Sequence, residues 1–96
     1  MMTRDTIRKQ RGAILALAEQ YGATNVRLFG SVARDEATES SDVDLLVDVT
    51  QDWSLLDHIG FQQDIEDLLG THVDVVIAAN VREGFRTRIL DEAVDL

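Results

Sequence analysis

The sequence predicts an α/β (α+β) domain: a small mixed β-sheet with helices packed mainly on one face. Three observations carry that prediction. Three short runs rich in β-branched and aliphatic residues, NVRLF, VDLLVDV and HVDVVIA, alternate with stretches of helical periodicity. The second and third runs are separated by one helical stretch closing on glycine, which is the pattern of a right-handed strand–helix–strand crossover with parallel neighbours. Finally, 96 residues at 45% hydrophobic content fit one core, so residues 1–96 are expected to form a single domain.

Each element follows from local chemistry. From about Thr3 to Tyr21, residues Ile7, Ile14, Leu15, Ala18 and Tyr21 recur at helical spacing, while Arg4, Arg8, Lys9 and Arg11 take other faces; Gly22 is the stop. Asn25 to Phe29 reads as a strand ending in Gly30. The polar stretch Ser31 to Ser41 follows, and its first half, SVARDEA, reads as a short helix. Val43 to Val49 reads as a central strand. Ser54 is the N-cap of a helix running to about Leu69, with Gly70 as its C-terminal stop. The apolar face of that helix drifts around its axis near Gly60, where a kink is expected. His72 to Ala78 is the third strand. The tail from Val81 to Val94 places Phe85, Ile89, Leu90 and Ala93 at helical spacing, so a last helix is expected on the sheet. The short link between the first two strands permits an antiparallel pair.

Composition narrows the functions. Cysteine is absent, which excludes disulfides and thiolate metal sites. No apolar run is long enough to span a membrane, and the polar start MMTRDTIRKQ has no secretory h-region. A cytoplasmic location is expected. Eighteen acidic residues face nine basic ones, a formal charge of −9. Nucleic-acid affinity rests on Lys and Arg neutralising phosphates, so a long DNA or RNA substrate is disfavoured. A nucleotide differs, because metal ions can screen its charge.

The chemistry concentrates in GSVARDEATESSDVD. Asp42 and Asp44 stand two apart at the start of a strand, so both side chains point to one face while Val43 and Leu45 enter the core. Two carboxylates on one face repel unless a cation lies between them, and oxygen ligands select Mg²⁺ or Mn²⁺ over softer ions. Asp74 repeats the context between Val73 and Val75 on the next strand. A lone carboxylate in an apolar strand is costly to bury unpaired, which points to a ligand role. Gly30 permits a tight turn and close approach of backbone to ligand. Ser31 stands at the start of the short helix, where free N–H groups favour phosphate oxygens. Alone, Gly-Ser marks any turn; after a strand and before Asp-x-Asp it is far more specific.

This G-S-x10-D-x-D pattern resembles the minimal nucleotidyltransferases of the DNA polymerase β-like superfamily, the MNT antitoxins of HEPN/MNT toxin–antitoxin pairs. The similarity runs from the first strand to the C-terminus through GSVAR, SDVDLLV, LLGTHVDVV and RILDEAV. The resemblance implies the polymerase β-like fold, with triphosphate at Gly30 and Ser31, two metal ions at Asp42 and Asp44, and Asp74 as the third carboxylate. It implies ATP as substrate, Mg²⁺ (or Mn²⁺) as cofactor and, as partner, a helical HEPN ribonuclease toxin neutralised by transfer of AMP onto a tyrosine. Arg34 is the neighbouring candidate for a phosphate contact. Family members carry Gly after the A-R of this motif, where this chain has Asp35, so an altered turn is expected.

Transfer of a nucleotidyl group passes through a crowded, negatively charged phosphorus centre, so positioning and electrostatics set its barrier. On the family pattern Asp42 and Asp44 bridge both ions, Asp74 completes the site that activates the acceptor hydroxyl, and Gly30 and Ser31 hold the leaving pyrophosphate. Two other functions compete: an antitoxin that masks its partner by contact alone, and an enzyme modifying a small molecule. Intact carboxylates and the Gly-Ser turn favour catalysis, and one small domain disfavours the small-molecule enzyme. Homo- or hetero-oligomers remain open. His58 and His72 read as structural or surface residues, Asp48 as a solvated strand end, Arg86 and Arg88 as facing water, and Trp53 as a packing residue or interface anchor. The run from Asp42 to Asp48 lacks the central Gly and terminal Glu of an EF-hand.

Overall fold

The computed structural model describes residues 2–96. Its elements are α1 (Arg4–Lys9), α2 (Arg11–Tyr21), β1 (Ala23–Phe29), α3 (Gly30–Ala33), β2 (Val43–Val49), α4 (Leu55–Leu69), β3 (Val73–Ile77), a 3₁₀ turn (Ala78–Asn80), α5 (Glu83–Glu92) and β4 (Val94–Asp95). The strands form one sheet in the order β3-β2-β1-β4. β2 and β3 run parallel, while β1 is antiparallel to both β2 and β4. The mixed sheet and the parallel crossover agree with the sequence reading.

The core lies on one face. Val26, Leu28, Val43, Leu45, Val47 and Val73 meet Ile7, Ile14, Ala18, Phe61 and Ile65 from α1, α2 and α4. Fully burying a side chain such as Phe61 contributes about 1.5–3 kcal/mol, so this one layer supplies most of the stability. The ends of α4 are as the sequence has them. Ser54 and Asp57 form a reciprocal capping box, and Gly70 closes the helix at φ 69°.

Four details differ from expectation. The first helix is two, because the Gln10 N–H bonds to the Ile7 carbonyl at 2.9 Å and breaks the α spacing; Gly12 nearby weakens helix propensity. α4 is unbroken at Gly60. That glycine instead lets α2 approach, since a Cβ there would stand 2.9 Å from Tyr21 Cε1. The last helix ends at Glu92, and the chain turns to pair Val94 with Leu28 and Asp95 with Arg27. Lastly, α5 crosses the face opposite the core helices, where Leu46, Ala78, Val81, Ile89 and Leu90 meet. Among the described residues, no helix is long and apolar enough to cross a membrane.

Candidate active site

Strand alternation builds the site. Val43, Leu45 and Val47 are fully buried, which leaves Asp42, Asp44, Leu46 and Asp48 to the opposite face. The parallel register pairs Val43 with Val73 and Asp44 with Asp74. Slipping it by one residue would drive carboxylates into the core, so the apolar set fixes where the acids stand. β1 delivers its end to the same place, because Phe29 pairs with Asp44 and Gly30 follows at φ 74°.

A ligand atom from each of Asp42, His72 and Asp74 lies within 4.8 Å of the others, the one such group of three among the described residues. These side chains are about half exposed, at 48%, 53% and 51%. Asp44 stands beside them, directly in register with Asp74, but its Oδ2 leans over Gly30, where a Cβ would overlap it. Burial, followed by the charges of Asp74 and Asp42, raises the Asp44 pKa above the ordinary carboxylate value; Arg34 and His72 act the other way. A cation at this site would relieve that crowding. The grouped donors, two carboxylates and one imidazole with Asp44 beside them, could hold a divalent cation, and the carboxylates favour Mg²⁺ or Mn²⁺.

His72, read from the sequence as structural or surface, is half exposed and stands within the acidic cluster. Its Nδ1 lies 2.7 Å from Glu66 Oε2, and its Nε2 lies 3.3 Å from Asp74 Oδ1 and 4.0 Å from Asp42 Oδ2. The hydrogen bond to Glu66 is the largest influence raising the His72 pKa; desolvation opposes it, and the charges of Asp42 and Asp74 add to it. The signal was present: His72 and Asp74 share the two-residue spacing of Asp42 and Asp44. Glu66, in the last turn of α4, also accepts the Val73 N–H at 3.1 Å, and carries no sequence signal of its own.

Gly30 and Ser31 open the single turn α3, whose N-terminal N–H groups no side chain caps. An open cleft of about 560 Å³ adjoins them, lined by Phe29, Gly30, Arg34, Phe85, Arg88 and Glu92 among others. Arg34 reaches the cleft but is held by Glu36 at 3.1 Å and Glu92 at 3.2 Å. Asp35, where an altered turn was expected, adopts φ 61°. Aspartate tolerates that left-handed region better than most residues, which explains how the chain manages without glycine. Asp48 is tied to Arg27 at 3.2 Å and Asn25 at 3.0 Å, so it belongs to the sheet rather than to the cluster. Arg86 donates to the Ala78 carbonyl at 3.1 Å, a tie between α5 and the 3₁₀ turn rather than a contact with water. Trp53 packs edge-on against Phe61 and His58.

Known proteins share this family and fold. Residues 8–96 match the family described as nucleotidyltransferase domain. The protein adenylyltransferase MntA of Thermococcus cleftensis is 41% identical over 78 residues, covering 81% of this chain and 79% of that protein. MJ0435 of Methanocaldococcus jannaschii, a candidate protein adenylyltransferase, is 37% identical over 83 residues, covering 86% of this chain and 89% of that protein. A solved candidate minimal nucleotidyltransferase superposes with a TM-score of 0.90 at 44% identity, covering 99% of this chain and 97% of that one. A chain from a toxin–antitoxin crystal structure with AMP-PNP gives a TM-score of 0.75 over 88% of this chain and 69% of its own; at 17% identity the likeness is one of fold.

Proposed function

The chain belongs to the nucleotidyltransferase domain family, and from that premise we propose that it transfers AMP from ATP to a hydroxyl of a protein partner, as the antitoxin of a toxin–antitoxin pair. The observation that carries this reading is the placement of Asp42, Asp44 and Asp74 on one sheet face beside Gly30, with Asp44 and Asp74 in register. The named activity of the Thermococcus cleftensis relative supports the choice of AMP and of a protein acceptor. A tyrosine of a HEPN-type toxin is the acceptor proposed from the resemblance.

Asp42, Asp44 and Asp74 would hold divalent metal, with Mg²⁺ the proposed ion. When bound, it supplies Lewis-acid stabilisation of the charge that develops on phosphate oxygens. The N–H groups at Gly30 and Ser31 hold the triphosphate through its leaving end. Phe85, 58% exposed, and Arg88 line the cleft on the α5 side, offering an aromatic face to the base and a cation to the phosphates. Asp74 takes the proton of the acceptor hydroxyl as its oxygen attacks the α-phosphorus. The bond from the α-phosphorus to the bridging oxygen breaks, and pyrophosphate leaves.

One observation favours a second reading, neutralisation by contact alone. Leu55 and Leu56 at the start of α4 are 74% and 80% exposed, with Ile59 beside them, and such a patch marks a protein contact more readily than a solvated helix. Both readings meet one experiment. The chain is incubated with the product of its neighbouring gene, ATP and Mg²⁺, and both proteins are weighed by mass spectrometry. A gain of one AMP on the neighbour supports transfer. Stable association with no gain supports contact alone and rejects transfer; absence of both rejects the antitoxin reading.

A further inference from the structure

His72 carries an inference that deepens the metal reading just given and rests on it. In Thr71-His72-Val73-Asp74, His72 and Asp74 are two apart, and Val73 is fully buried between them. The register that pairs Val43 with Val73 sets His72 beside Asp42, as Asp74 is set beside Asp44. Two rows of potential ligands result, one Asp–His and one Asp–Asp.

The orientation of the imidazole is fixed from behind. Glu66 Oε2 lies 2.7 Å from Nδ1 and also accepts the Val73 N–H. An ionised carboxylate only accepts, so Nδ1 carries the proton. In the neutral ring this leaves a lone pair on Nε2, turned toward Asp74 Oδ1 at 3.3 Å and Asp42 Oδ2 at 4.0 Å. Two oxygens and a nitrogen, all lone-pair donors, thus stand within 4.8 Å of one another. Atoms held about 2.1 Å from a shared ion lie roughly 3 to 4.2 Å apart, which brackets both separations. A ligating histidine whose other nitrogen donates to a carboxylate is the usual outer-shell arrangement at metal centres.

We propose that His72 is a metal ligand through Nε2, that Glu66 is its positioning residue, and that this nitrogen shifts the site's preference from Mg²⁺ toward Mn²⁺. The shift follows from ligand type: Mg²⁺ is a hard ion that takes oxygen ligands, whereas Mn²⁺ belongs to the first-row series whose members also bind mixed nitrogen and oxygen sites.

The test is Mn²⁺ binding to the full chain, followed by the electron paramagnetic resonance of free and bound ion, with Mg²⁺ as competitor. The wild type is expected to bind Mn²⁺ and to show ¹⁴N modulation from a coordinated imidazole in electron spin-echo spectra. His72→Ala should lose that modulation and at least tenfold in Mn²⁺ affinity, with a smaller loss for Mg²⁺. Glu66→Gln keeps an acceptor for Nδ1 and should weaken Mn²⁺ less than Glu66→Ala, whose loss should reach about 10- to 100-fold. His72 is half exposed, so its removal leaves the core intact, and unfolding curves without metal verify this. Wild-type Mn²⁺ affinity in His72→Ala, or no nitrogen modulation in the wild type, overturns the proposal while sparing the carboxylate site. Failure of the wild type to bind either ion overturns both.

Discussion

On the proposed function, Asp44 sits where activity and stability oppose each other. Burial and two neighbouring carboxylates work against its charge, and no hydrogen bond offsets them. Asp44→Asn is therefore expected to abolish transfer yet stabilise the metal-free protein at neutral pH by about 0.5–2 kcal/mol, measured by urea unfolding. An unchanged or lowered midpoint would show that the carboxylate is not under strain. Asp74→Asn should cut the transfer rate by roughly 10²–10⁴-fold, as loss of a general base does, while nucleotide affinity by calorimetry changes little. Retained turnover would refute its assigned role. Away from the site, Tyr21 is the chain's only tyrosine and donates to Asp64 Oδ2 at 2.6 Å. That bond first, then burial and the Asp64 charge, raises the phenol above its ordinary value near 10. The unfolded chain ionises at the ordinary value while the folded chain keeps its proton. The stabilisation is thus intact through neutral pH and is lost as pH climbs from the unfolded value through the raised folded one. Alkaline absorbance titration should show a late midpoint that Asp64→Asn brings down. At this scale the sequence was informative for Asp42, Asp44 and Asp74, since strand alternation alone assigns their face. It could not show that Asp44 leans on Gly30 or that Glu66 backs His72, because both contacts depend on side-chain directions across distant elements.

Among the elements, β2 and β3 were legible because their apolar residues alternate around single acids, and α4 because Ser54 and Gly70 mark its ends. β4 was not. Two residues are too few for a periodic signal, and Val94 pairs with Leu28 only once the rest of the sheet exists. α5 was legible as a helix but not in its place, since a stripe of Ile89 and Leu90 names no face to cover. The turn after α3 yields a prediction of its own. Asp35 holds φ 61° without being glycine. Asp35→Gly is expected to raise stability by about 0.5–1 kcal/mol in thermal unfolding, by removing a left-handed β-carbon. A fall in Tm would mean that the carboxylate, not the backbone, holds the turn.

For the whole molecule, one core cluster joins residues from Ile7 to Leu96, and the expectation of a single domain becomes a proposal about cooperativity. Trp53, the sole tryptophan, packs against that core through Phe61. Its fluorescence and the far-ultraviolet circular dichroism should therefore lose signal at the same urea concentration, as two-state unfolding requires. Separate transitions would divide the chain into independent parts. The charge of −9 was readable from composition, and phosphate neutralisation by Lys and Arg is the term it leaves weak. What composition could not reveal is that Leu55 and Leu56 stand exposed at the start of α4, because exposure is a property of the assembled fold.

Gly30 and Asp44 occupy one volume between them: a methyl group on the first would fill the space taken by an oxygen of the second. Neither position is free to drift alone. A descendant that exchanged the glycine would have to move or forfeit the acid, and so its chemistry, in the same step. The two positions are therefore sterically coupled, and an unstrained site needs both the small residue and the space it leaves.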